Sequence, residues 1–143
     1  MQVRHILRIK GRQVVDIPAD ATLHDAARAL MQHNIGALIV RRSDGTLEGV
    51  ISERDIVRAA AQVGCDALKA AVADHMTRVV ETCAEADSIE DLMETMTNLR
   101  LRHLPVVEEE RLVGIVSIGD VVKTRIEETV QEAESLRGYI GAG

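Results

Sequence analysis

Serine and aspartate recur at one spacing in two places, Ser52-Glu53-Arg54-Asp55 and Ser117-Ile118-Gly119-Asp120, each after a glycine and two apolar residues. A serine with a carboxylate three residues later is a capping-box arrangement, in which hydroxyl and carboxylate satisfy free backbone N–H groups at a helix start, and the glycine is readable as a turn residue. The same geometry can hold a ligand. A helix N-terminus after a strand offers N–H groups and a positive dipole end to a phosphate. The serine adds a hydrogen bond, and an ionised aspartate one turn on can accept from both hydroxyls of a ribose. Phosphate beside serine and ribose beside aspartate describes a nucleoside phosphate. These strings alone leave caps and site both open, because duplication copies a cap as faithfully as a site.

Three further side chains bear on that chemistry. Arg54 lies inside the first string and either covers a solvated helix face or reaches a phosphate. Arg102 and His103 head an apolar strand, where charge needs a reason, and neutralising phosphates supplies one. Cys65 and Cys83 stand in no CxxC or Cys/His spacing, so neither a disulfide framework nor a zinc site is expected, and both are read as structural, buried thiols. His5, His24, His33 and His75 are scattered on polar positions and expected at the surface. No Walker lysine motif, metal-ligand cluster or nucleophile–base arrangement is recognisable, which weighs against an enzyme. A ligand-free interaction scaffold, with these Ser and Asp residues only as caps, is the serious rival to a binding module.

The elements that must position these residues follow from an internal repeat at a shift of about 66 residues. Thr22 and Ser88 stand three before Asp25 and Asp91, and Leu23, Ala26, Ala27, Leu30 and Ile89, Leu92, Met93, Met96 recur at helical spacing. IGALIV at 35–40 matches LRHLPV at 101–106, and a polar turn leads into Val50-Ile51 or Ile115-Val116 as the returning strand of a hairpin. A helix follows each serine. Each half therefore reads helix, strand, strand, helix, and two stacked copies can bury apolar faces that one could not. Val3 to Ile9 begins the first copy, and Cys65 to Thr77 reads as a helical linker. Val122, Ile126, Val130, Ala133, Leu136 and Ile140 extend an apolar stripe into the tail, fit to cover the domain or a second chain.

Composition bounds the function. The 143 residues carry a net charge of −6, with 46% hydrophobic and 28% charged residues, which suits one folded domain. The acidic balance argues against nucleic acid, and Tyr139 as sole aromatic leaves no base-stacking platform. No window approaches the ~18 apolar residues of a membrane span, and a cytoplasmic location is expected by default.

The paired Gly-apolar-apolar-Ser-x-x-Asp strings, the IGALIV and LRHLPV segments and the linker ending Met76-Thr77 resemble a tandem pair of CBS (cystathionine-beta-synthase) motifs over nearly the whole chain. The resemblance implies an α/β (α+β) module of two pseudo-twofold-related β-α-β-β-α motifs, over residues 1–66 and 67–143, the latter including linker and C-terminal helix. It further implies a cleft with up to two sites for AMP, ADP, ATP, S-adenosylmethionine or an NAD-type ligand, no required cofactor, and a homodimer. The regulated protein partner is not named by it. Position by position, it gives Asp120 the ribose, Ser117 the phosphate and Thr77 a nearby hydroxyl, with Val80 and the Leu101–His103 segment, including Arg102, framing the adenine. In the first copy Asp55 and Ser52 take these parts, with Val14, Ile35, Gly36 and Ala37 around the base and Arg54 towards the phosphates. Gly11 stands where the second copy has Thr77, which makes the first site the weaker expectation.

Overall fold

Capping residues set the helix starts. Helix α2 (Leu23–His33) follows Thr22, whose Oγ1 accepts from Asp25 N at 3.1 Å while Asp25 Oδ2 accepts from Thr22 N at 3.1 Å. Helix α4 (Ile89–Leu99) follows Ser88, whose Oγ accepts from Asp91 N. The computed structural model describes residues 1–142. The remaining elements are α1 (Val3–Lys10), β1 (Asp16–Ile17), β2 (Ala37–Arg41), β3 (Leu47–Ser52), α3 (Glu53–Val63), β4 (His103–Glu108), β5 (Arg111–Ser117) and α5 (Ile118–Ala142). The linker is helical as expected, but in two 3₁₀ turns, Gly64–Lys69 and Val72–Asp74.

Strand β2 pairs parallel with β1 and antiparallel with β3, with Ala37 opposite Ser52. Strands β4 and β5 form the matching hairpin, with His103 opposite Ser117. Its two-residue turn, Glu109-Glu110, takes positive φ at both positions, 49° and 66°, as a tight hairpin of native twist requires. The leading strand that the β-α-β-β-α pattern implies for the second half shrinks to a single parallel bridge between Cys83 and Val106. The ladder stops because Glu85 N donates to the Glu108 carboxylate at 2.7 Å and Glu85 O accepts from Arg4 N at 3.0 Å. Cys83 is buried, and burial pushes its thiol up to about 12. Cys65 departs from its expected burial and lies at the surface.

Two apolar cores form, and each borrows the segment that precedes the other half. Leu23, Leu30, Leu38 and Ile51 pack with Ala67, Val72 and Met76 of the linker. Ile89, Met96, Leu104 and Val116 pack with Val3, Ile6 and Leu7 of α1. The segment Val3–Ile9 thus opens the first half in sequence and closes the second core in space. Burying a side chain such as Leu7 stabilises by about 1.5–3 kcal/mol, so this exchange binds the halves together.

The exchange explains the repeated glycine. Gly49 and Gly114 are not turn residues; both lie mid-strand, opposite Val40 and Val106. A Cβ on Gly49 would fall 2.6 Å from the Thr77 carbonyl oxygen, and one on Gly114 would fall 2.7 Å from Leu7 Cδ2. Each glycine clears the path of a borrowed segment. The tail stripe does not cover this chain: α5 packs through Val121, Thr124 and Glu128, while Val122, Ile126 and Val130 stay 42–59% exposed. Among the described residues no helix is long and apolar enough to cross a membrane.

Candidate functional site

Most of the residues singled out in sequence meet at a cavity of about 530 Å³ between the halves. Ser52, Arg54 and Asp55 reach it from the start of α3, Gly36 and Ala37 from the entry to β2, and Thr77 and Val80 from the linker. Leu101, Arg102 and His103 close it from the second half. The capping box at Ser52 is complete. Asp55 Oδ2 accepts from Ser52 N at 2.8 Å and Ser52 Oγ at 3.0 Å, and Asp55 N donates to Ser52 Oγ at 3.3 Å. Asp55 Oδ1 meets Arg58 Nη1 at 3.8 Å, too long for a hydrogen bond, so this oxygen keeps its accepting capacity at the cavity wall.

The grouping of site residues differs from the one read in sequence. Thr77 pairs with β3, as Val50 N donates to Thr77 O at 3.0 Å and Thr77 N donates to Val50 O at 2.9 Å. It therefore stands beside Ser52 and Asp55 rather than Ser117 and Asp120. The borrowed linker is the reason: it carries Thr77 and Val80 to the first half's returning strand while the second half contributes Leu101–His103. Val14, Ile35, Ser117 and Asp120 are not part of the lining. Ile35 packs partly buried against the first core, and Val14 is half-buried.

Ser117 and Asp120 repeat the box, with Ser117 N donating to Asp120 Oδ2 at 2.9 Å and Asp120 N donating to Ser117 Oγ at 3.1 Å. Here a cation joins it. Lys10 Nζ donates to Asp120 Oδ2 at 2.7 Å and to Ile115 O at 3.0 Å. Burial pushes the Asp120 carboxyl up, but the Lys10 ammonium and the Ser117 bonds outweigh it and hold the group below its usual range.

The cavity wall carries four arginines and three carboxylates. Arg54, Arg58, Arg100 and Arg102 border it together with Glu53, Asp55 and Glu81. Arg102 is exposed and stands just before β4 rather than heading a buried strand. His103 is half-buried, and burial, reinforced by Lys10 and Arg102, pulls its imidazole below the ordinary histidine range, against the opposing pull of Asp120 and Glu53. It therefore offers a neutral N–H donor, and the arginines supply the standing charge. A Cβ on Gly36 would lie 3.1 Å from His103 Cε1, so this glycine makes room for the imidazole. Sequence reasoning missed Arg58 and Arg100. Arg58 was findable as Arg54 plus one helical turn. Arg100 was not, because it is brought to the cavity by a left-handed C-cap, φ 54°, that its residue type does not announce.

Residues 3–62 and 72–127 each match the CBS domain family. The CBS domain-containing protein CBSX3, mitochondrial, of Arabidopsis thaliana is 36% identical over 128 residues, which cover 87% of this chain and 62% of that protein. The chain thus spans less than two thirds of that relative. The CBS-domain containing protein ATU1752 from Agrobacterium tumefaciens superposes with a TM-score of 0.86 at 44% identity, covering 87% of this chain and 99% of the other. The CBS domain pair of protein MJ0100, in complex with 5′-methylthioadenosine and S-adenosyl-L-methionine, gives 0.80 at 27% identity, over 90% and 98% of the two chains. The CBS domain protein PAE2072 from Pyrobaculum aerophilum, complexed with AMP, gives 0.75 at 28%, over 84% and 89%.

Proposed function

This chain belongs to the CBS domain family, and on that premise we propose that it is a regulatory module that binds an adenosine-containing nucleotide between its two motifs and catalyses no reaction itself. The cavity of about 530 Å³ carries this reading, because its volume falls within the ~300–1,000 Å³ of small-molecule sites and its wall joins both halves. Asp55 takes the ribose hydroxyls, the Ser52 end of α3 takes the phosphate side, and Arg54, Arg58, Arg100 and Arg102 neutralise it. Leu101 and Val80 frame the base. Four guanidinium groups against three carboxylates leave the wall with a cationic excess, which favours a nucleoside phosphate such as AMP over the sulfonium of S-adenosylmethionine. Occupancy regulates a partner only if the ligand prefers one arrangement of the two motifs, and a site walled by both halves makes its contacts depend on that arrangement.

A thermal-shift panel with AMP, ADP, ATP, NAD, NADH and S-adenosylmethionine tests the reading, since a ligand that binds only the native state raises its stability. AMP or another phosphate-bearing adenosine ligand is expected to raise the melting temperature. No shift with any of them, after bound nucleotide is stripped, moves the reading to a scaffold whose serines and aspartates only cap helices. That alternative rests on the completeness of both capping boxes, in which serine and aspartate already satisfy each other's backbone N–H groups.

The second copy of this chain is the proposed protein partner. Val57 on α3 and Val122 on α5 are repeat counterparts, 68% and 42% exposed, and Ile126 and Val130 continue the patch. Two matched apolar helices fit a twofold contact. Light scattering is expected to give a dimer for the parent and a monomer for Val57→Glu/Ile126→Glu; a parent that is monomeric at micromolar concentration sinks the idea.

A further inference from the structure

Resting on the nucleotide reading above, we propose that Lys10 takes the place of a ribose on Asp120, the second repeat's counterpart of Asp55, so that the chain takes up a single adenosine nucleotide, at Asp55, and Lys10 is the residue that sets this stoichiometry.

The repeat makes the comparison direct. At the 66-residue shift Lys10 corresponds to Met76 and Gly11 to Thr77; at the 65-residue shift of the returning strand Ile115 corresponds to Val50. In the first repeat the Val50 carbonyl accepts from Thr77 N at 2.9 Å, because the linker runs extended alongside β3. In the second, α1 remains helical through Lys10, and Gly11, at φ 93°, turns its N–H back to Leu7 O at 2.8 Å. Gly11 therefore cannot pair with β5, and the Ile115 carbonyl falls to Lys10 Nζ at 3.0 Å. The same ammonium lies 2.7 Å from Asp120 Oδ2.

Lys10 thus presents N–H donors to the carboxylate that a ribose would address with its hydroxyls. A nucleotide entering there must break a charge-assisted bond and leave Ile115 O without its donor, which costs a ligand about ten- to a hundredfold in affinity. Met76 at the matching position is apolar, 9% exposed and packed in the first core, so nothing equivalent holds Asp55. The residue types at positions 10 and 76 make the two repeated aspartates unequal.

Titration calorimetry of the full chain with AMP reads the stoichiometry. The parent is expected to bind one AMP per chain, Lys10→Met two, and Lys10→Met/Asp120→Ala one again. A parent that binds two, or a folded Lys10→Met that still binds one, overturns the role of Lys10 and leaves the nucleotide reading standing. AMP binding to neither protein overturns the nucleotide reading and the stoichiometry with it. Should Lys10→Met fail to fold, acetic anhydride labelling of the parent decides. Lys10 is expected to react more slowly than Lys69, which is 86% exposed, and Asp120→Asn to narrow the difference; equal rates in the parent overturn the contact.

Discussion

Asp55→Ala is expected to weaken AMP binding by about ten- to a hundredfold, the 1.5–3 kcal/mol scale of hydrogen bonds to a charged group. Asp55 also serves the α3 capping box, so a loss of binding could follow from a loosened helix start. The chain contains its own control. Asp25 forms the same box with Thr22 at the start of α2 and does not border the cavity. Asp25→Ala should lower the melting temperature of the empty protein to an extent comparable with Asp55→Ala and leave the AMP-induced shift intact. Asp55→Asn separates charge from cap further, since the amide oxygen can still accept from Ser52 N while the carboxylate charge is gone. Asp120→Ala, on the stoichiometry argued above, leaves the affinity of the occupied site near that of the parent. Calorimetry on these four variants decides: Asp55→Ala binding as tightly as the parent makes the ribose assignment wrong, and a selective loss in Asp120→Ala returns the site to the grouping first read in sequence.

That grouping shows how far residue spacing could reach. The repeat, the caps at Thr22, Ser52, Ser88 and Ser117, and the hairpins are local features written within a few residues of each other, and the structure carries them where the spacing puts them. The pairing of Thr77 with Ser52 is not local. It depends on the linker docking against the half that precedes it and α1 docking against the half that follows, and apolar periodicity says that Val3, Ile6 and Leu7 are buried without saying in which core. The cation on Asp120 was hidden for a related reason. Lys10 and Asp120 are 110 residues apart, and the end of a short helix gives no sign of the strand it will face. The glycines were legible as a repeated type but not as a clearance, because the atoms they clear belong to those same borrowed segments.

Gly49→Ala follows from that clearance and is expected to cost roughly 3 kcal/mol, the upper end for overpacking, or about 6–12 °C in melting temperature for a chain of this size. The added Cβ would sit 2.6 Å from the Thr77 carbonyl oxygen and 3.0 Å from Met76 Sδ. The carbonyl cannot rotate aside like a side chain, since it accepts from Val50 N, so relief requires the linker to leave β3. The atoms nearest the Cβ of Gly114→Ala are those of the Leu7 side chain, at 2.7 Å, and a leucine terminus can shift within its core, so a smaller loss is expected there. Trimming the neighbour distinguishes the two cases. Leu7→Ala should recover part of the cost of Gly114→Ala, a favourable coupling on the order of 1 kcal/mol, whereas Met76→Ala should recover little of Gly49→Ala, because the backbone clash persists. Thr77 lies in the cavity wall, so Gly49→Ala should also weaken AMP binding at temperatures where the protein remains folded, and Gly114→Ala should not. A Gly49→Ala protein that melts with the parent and binds AMP equally well would mean that the linker does not lie against β3, and that Thr77 has no place beside Asp55.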